Sequence, residues 1–140
     1  SGRDQGLVEY CQPGRGYDVG VSGGRYYGVC HADLEQDFLD AYNAGYHLYT
    51  LRANVNRANA NISSKERELE SVQGEIRAKE AALIAPETTI EDRVLILADL
   101  KDLSERVGHI EAEIQVLYEE RARSEAELEN YQAAVVDFGY

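Results

Sequence analysis

Ile84-Ala85-Pro86-Glu87-Thr88-Thr89 is the one interruption in a stretch, Leu48 to Tyr131, that otherwise keeps apolar residues at an alternating three and four spacing. Before it, Leu48, Val55, Ile62, Leu69, Ile76 and Leu83 lie seven apart, and Leu51, Ala58, Lys65, Val72 and Lys79 fill the second seam position. An apolar repeat of seven sustained this long predicts a helix that needs a partner, because a lone helix would leave the stripe in water. Lys65 and Lys79 fall on the stripe, where their stems can lie along it with the ammonium outside. After the interruption the seam reads Ile96, Leu100, Leu103, Val107, Ile110, Ile114 and Leu117, then Arg121, Ser124, Leu128, Tyr131 and Val135.

Pro86 cannot continue a helix and disfavours helical geometry at Ala85. Thr88 followed by Glu91 has the capping-box spacing that opens a new helix. The expected fold is therefore mainly α, with an antiparallel coiled-coil hairpin over residues 47–140 that turns at 84–89. A single rod that dimerises fits the gap less well, although a hairpin of this length could still pair with a second copy. Placing Leu83 near Ile90 or Asp92 sets a register in which Ile76 faces Leu97, Leu69 faces Ser104, Ile62 faces Ile110 or Glu111, and Val55 faces Tyr118. At about 1.5 Å per residue each arm would span roughly 70–80 Å. The region around Ile76, Leu83 and Ile90 would be the exposed docking tip.

Residues 1–46 read differently. Residues 1–32 hold eight of the twelve glycines, Gly2, Gly6, Gly14, Gly16, Gly20, Gly23, Gly24 and Gly28, and read as turns with short helical turns or a small hairpin among them. Tyr10, Tyr17, Tyr26 and Tyr27 supply the bulk that aliphatic residues do not. Cys11 and Cys30 lie in this segment, which is too poor in aliphatic residues to bury much core unaided. Free thiols and a zinc site are the alternatives, but the spacing is not CxxC and the local His is single. A Cys11–Cys30 disulfide is the expectation, and with it an oxidising compartment; it would stabilise by about 3 kcal/mol. Asp33 with Gln36 has capping-box spacing, so a helix should start at Asp33. Leu34, Phe38, Leu39, Ala41, Tyr42 and Tyr46 then follow at helical intervals, and Gly45 among them suggests close packing against the cap. Val135–Tyr140 should return to the cap.

Acidic residues outnumber basic ones 26 to 14. The excess is shared: three basic and seven acidic groups in residues 1–46, eleven and nineteen in 47–140. That argues against nucleic-acid phosphates or anionic lipid as the main partner. No run approaches the roughly 18 apolar residues of a membrane span. With no Met and no signal peptide at its start, the chain is expected to be a processed mature protein or an excised fragment.

Candidate chemistry is sparse. His31, Asp33 and Glu35 are metal-ligand types, but they straddle a helix start without a fourth ligand, and no metal or cofactor is expected. Gly20-Val21-Ser22-Gly23-Gly24 lacks the Lys-Ser/Thr of a phosphate cradle and the ordered glycines of a dinucleotide turn, and Ser22 has no G-x-S-x-G frame. Glu66, Glu68, Glu70, Glu75, Glu119 and Glu120 sit outward on the heptad helices as solvated partners of Arg and Lys. No enzyme is expected. Seven of the ten tyrosines precede residue 50. Tyr17, Tyr26 and Tyr27 form a candidate platform for stacking on a ligand, or else they are the core of the cap.

The run Gly6-Leu7-x-x-Tyr10-Cys11-x-Pro13-x-x-Gly16-Tyr17-x-x-Gly20 continues with Gly23, Tyr26 or Tyr27, Gly28-Val29-Cys30, Asp33-Leu34-Glu35, Phe38-Leu39, Tyr42, Gly45 and Leu48-Tyr49. This resembles the proteobacterial envelope lipoproteins of the DUF2799 family over about residues 1–50. His31 stands where members of that family have Pro after the second cysteine, and the lipoprotein signal and upstream Gly/Trp segment typical of members do not appear in this sequence. The resemblance implies a Gram-negative periplasm or outer membrane and brings no activity with it.

The combined expectation is a non-enzymatic envelope protein, a disulfide-stapled cap at 1–46 carrying a hairpin that engages another protein or a second copy of itself. Nucleic acid is not expected as a partner, and membrane contact only through a lipid anchor outside this chain. The rival expectation is a small cell-wall- or ligand-binding module using the tyrosine-rich cap.

Overall fold

The computed structural model describes residues 9–140; Gly2, Gly6 and Leu7 lie outside them. Among the described residues the chain is mainly helical, without strands. Helix α1 is Pro13–Val21, α2 is Ala32–Ile84 and α3 is Ile90–Asp137. The chain forms two compact units, one comprising residues up to Arg57 together with Ala122–Tyr140, the other Ala58–Arg121.

In the first unit the glycine-rich segment does not simply turn. Residues 13–21 form a helix with Pro13 at its amino end, and Gly16 and Gly20 are its buried residues. The reason is close approach of two backbones. A Cβ on Gly16 would stand 2.5 Å from the carbonyl oxygen of Phe38; one on Gly20 would overlap the carbonyl of Tyr42 and come within 2.6 Å of the Tyr46 nitrogen. From the α2 side, a Cβ on Gly45 would overlap the carbonyl of Tyr17 and come within 2.9 Å of the Val21 nitrogen. Each helical glycine costs about 1 kcal/mol against Ala, and the packing it permits offsets that loss.

Phe38 is fully buried at the centre of this unit, with Cys11 and Cys30 beside it and Tyr10, Tyr26, Leu34 and Tyr42 packed around them. The Tyr26 and Tyr10 rings lie 5.0 and 5.3 Å from that of Phe38. Cys11 and Cys30 form a disulfide with Cα atoms 5.7 Å apart, closing a separation of 19 residues. Two of the tyrosine hydroxyls find partners, as polar groups drawn into a core need to: Tyr26 Oη accepts from the Cys30 amide at 3.2 Å, and Tyr42 Oη donates to the Gly24 carbonyl at 2.8 Å.

Helix α2 opens one residue earlier than the Asp33–Gln36 spacing suggests. The Leu34 and Glu35 amides both donate to the His31 carbonyl, and Gln36 Nε2 donates forward to Asp40 Oδ1 at 2.8 Å. Cys30, held by its disulfide, fixes where the chain enters the helix. Farther along, Leu48, Leu51 and Val135 are buried and Val55, Leu128 and Tyr131 half-buried. The His47 ring meets Tyr131 edge-on at 4.4 Å, and Tyr140 stacks on Tyr17 at 5.6 Å, so the C-terminal residues do pack on α1.

The second unit has an aliphatic core. Val72, Leu103, Ile110 and Ile114 are buried together, with Leu69, Ile76 and Val107 packed against them. Ala58, Ile62 and Ile96 are also buried, whereas Leu83, Leu100 and Leu117 are half-buried, as are Lys65 and Lys79. Polar contacts flank the core. Lys65 Nζ bridges Glu68 and Glu113, Lys79 Nζ meets Asp99 at 2.9 Å, Tyr118 Oη donates to Glu66 at 3.2 Å, and Arg121 donates to Asn59 at 3.4 Å.

Candidate functional site

The turn end of the second unit is built from side chains that hold the backbone. Helix α2 stops at Ile84, ahead of Pro86. Thr88 Oγ1 donates to the Ala82 carbonyl at 2.6 Å, covering one of the carbonyls a helix end leaves unpaired. Arg93 covers two positions more: Nε donates to Leu83 O at 3.1 Å and Nη2 to Ala85 O at 3.2 Å. Thr89, not Thr88, caps α3: its Oγ1 accepts from the Asp92 amide at 3.1 Å and its carbonyl from the Arg93 amide at 3.0 Å. The sequence offers two adjacent threonines, and Thr88 is drawn back to the end of α2.

With its guanidinium on Leu83 O, Arg93 lies beside the end of α2, next to the positions that spacing assigns there, Ile90 and Asp92. Farther along, Lys79 meets Asp99 and Tyr118 meets Glu66.

This ordered end carries apolar side chains that the unit leaves in water. Ile84 and Ile90 are 80% and 75% exposed, and Val94, Leu95 and Leu97 are each more than half exposed. The signal is visible in the sequence as Val94-Leu95-Ile96-Leu97-Ala98, where a heptad seam needs only Ile96. The same stretch of chain carries Glu80, Glu87, Glu91 and Asp92, all exposed. Glu91 and Asp92 lie in the first turn of α3, where they complement its positive amino end. Arg93 is the single basic residue between positions 80 and 97, so this end is locally acidic, four carboxylates against one guanidinium. Ile76, assigned to the tip from spacing, packs against the core instead.

The candidate tyrosine platform is divided. Tyr26 is packed into the disulfide-bonded core, Tyr17 stacks on Tyr140, and Tyr27 is 77% exposed. Rings outside the candidate platform form a ladder along α2: Tyr42 to Tyr46 at 5.9 Å and Tyr46 to Tyr49 at 5.6 Å, the last two exposed. An open groove nearby is lined by Asp40, Asn43, Ala44, Tyr131, Phe138 and Tyr140. Burial, then the phenols of Tyr17 and Tyr140, push the Tyr131 hydroxyl above its ordinary pKa. His31, Asp33 and Glu35 do not converge, and among the described residues no group of three or more His, Cys, Asp or Glu is arranged to hold a metal ion. Among the described residues no helix is long and apolar enough to cross a membrane.

A family model described as a protein of unknown function, DUF2799, matches residues 1–47. The N-terminal third of the chain is therefore similar to that family, over the segment that holds the disulfide, the helix α1 glycines and Phe38. No curated protein and no solved structure matches the chain.

Proposed function

We propose that this chain is a non-enzymatic cell-envelope protein in which α2 and α3 form an antiparallel coiled-coil hairpin that serves protein–protein assembly. The pairing in the second unit supports the hairpin. As partners climb from Asn59 through Glu66 to Lys79 on α2, their counterparts fall from Arg121 through Tyr118 to Asp99 on α3. Cysteines replacing Glu66 and Tyr118 would then close within one chain on oxidation; products that form only between chains would sink the hairpin.

The observation that carries the assembly role is the apolar surface from Ile84 to Leu97, which contributes little to folding while it stays in water. The partner is another protein or a second copy of this chain. The disulfide suits an oxidising compartment, and with the family resemblance it supports a place in the Gram-negative periplasm or on the outer membrane, any membrane attachment being a lipid anchor outside these residues. The cap as a ligand module has less behind it, since Tyr17 and Tyr26 already have ring partners within their own unit.

Photo-crosslinking residues placed at Ile90, Val116 and Tyr27 in the native cells test this reading. Adducts from the arm positions support assembly. Adducts from Tyr27 alone, sensitive to cell-wall digestion, would overturn it in favour of the rival.

A further inference from the structure

Resting on that assembly reading, we infer that the turn end of the second unit is a preorganised docking knob for a protein surface that is apolar at its centre and basic at its rim. Three observations meet there. Ile84, Ile90, Val94, Leu95 and Leu97 present apolar side chains within a short stretch of chain. Thr88 and Arg93 fix the backbone beneath them by hydrogen bonds to Ala82, Leu83 and Ala85, so little ordering remains to be lost when a partner binds. Glu80, Glu87, Glu91 and Asp92 are exposed in the same stretch of chain, none of them in an ion pair among the described residues.

The charge selects among occupants. Arg93 is the single cation of the knob and its guanidinium faces the turn carbonyls, so the rim is negative. Two copies meeting knob to knob would bring like charges together at the edge of the contact, which disfavours self-pairing. Anionic lipid is repelled in the same way. A partner with Lys or Arg around an apolar groove gains at both the centre and the rim, the usual anatomy of a specific interface.

Two synthetic amphipathic helical peptides with the same leucine face, one rimmed by lysine and one by glutamate, test the inference against the full chain. Amide shifts followed by NMR should cluster within residues 84–97 for the lysine peptide, and the glutamate peptide should bind at least about tenfold more weakly. Replacing Ile84→Ser together with Ile90→Ser should raise the lysine peptide's Kd by about tenfold or more. Glu87→Gln with Glu91→Gln should raise it several-fold at low salt and leave little difference at high salt. These side chains are exposed, so melting should change little; if the serine pair does lower it, the charge pair gives an independent reading.

Equal binding of both peptides, or shifts centred elsewhere, would overturn the proposal. So would attachment to phosphatidylcholine vesicles that the serine pair abolishes, or a dimer in sedimentation that it dissolves. The two levels fail separately. Crosslinks in cells from Val116 with none from Ile90 would remove the knob and leave the assembly reading standing. Crosslinks from neither would remove the assembly reading, while the peptide titration still judges the knob.

Discussion

Gly45 and Gly108 both sit inside long helices, one in each compact unit, and the same missing Cβ means opposite things in the two places. At Gly45 the backbone of α1 occupies the space, with Tyr17 and Val21 against it; at Gly108 nothing lies within 4 Å. The first unit is held by close backbone contact, a disulfide and a cluster of rings around Phe38. The second is held by an aliphatic layer around Val72, Leu103, Ile110 and Ile114. A rigid, shape-dependent packing tolerates no added atom, whereas a helix pair with open faces tolerates many.

The largest effect expected from breaking that contrast comes from Gly20→Ala or Gly45→Ala. Helix propensity alone would make each stabilising by about 1 kcal/mol; the clash with backbone should instead destabilise the first unit by about 3 kcal/mol. Thermal melting decides the sign, and a gain in stability would refute the close-approach account.

Replacing both Cys11 and Cys30 by Ser should cost about 3 kcal/mol. Hydrogen exchange should then quicken at residues 34–45 while residues 69–76 keep their protection. Equal loss in both would mean that the units do not differ as described. Val72→Ala makes the mirror-image test: a cavity worth about 2 kcal/mol, with protection lost first in the second unit.

A smaller effect of opposite sign is expected from Gly74→Ala with Gly108→Ala. Both face open space or the tip of Arg77, so each should stabilise by up to about 1 kcal/mol. A melting temperature that falls would show a hidden constraint there.

The smallest effect concerns pH. The Tyr131 hydroxyl is raised by burial and by Tyr17 and Tyr140, so the folded state holds its proton more tightly than the unfolded state. That contribution is complete below the unfolded value of about 10 and is lost as pH rises through the folded one. Tyr131→Phe should therefore gain on the parent chain as pH rises above about 10. Parallel stability curves would discard the assignment.

The long helices were legible because their evidence is local and repeated. Each turn of α2 from Leu48 to Leu83 restates the same period, and Pro86 marks the break with a residue that cannot propagate a helix. The disulfide was legible from a segment with too few aliphatic residues to make a core alone. Helix α1 was not. Three glycines in nine residues argue for turns, and what outweighs them is the carbonyl row of another helix, which no local rule can see. The helix starts were displaced too: the His31 carbonyl opens α2 two positions before Asp33, and Thr89 caps α3 because Thr88 is held by the Ala82 carbonyl. The tip was half legible. The run Val94–Ala98 exceeds what a seam requires, but that Ile76 packs against the core while Ile84 stays exposed depends on contacts between distant residues.

The sequence by itself therefore determined that this chain is mainly helical, broken at Pro86, acidic along its length and disulfide-bonded near its start, because period, ring constraint, charge and thiol count are properties of residues and their neighbours. Only the tertiary structure decided which glycine-rich stretch becomes a helix, that the tyrosines divide between core and surface, and that Arg93 binds the carbonyls of Leu83 and Ala85. Each of those depends on which carbonyl or ring lies across a contact, and a contact between distant residues exists only once the chain has folded.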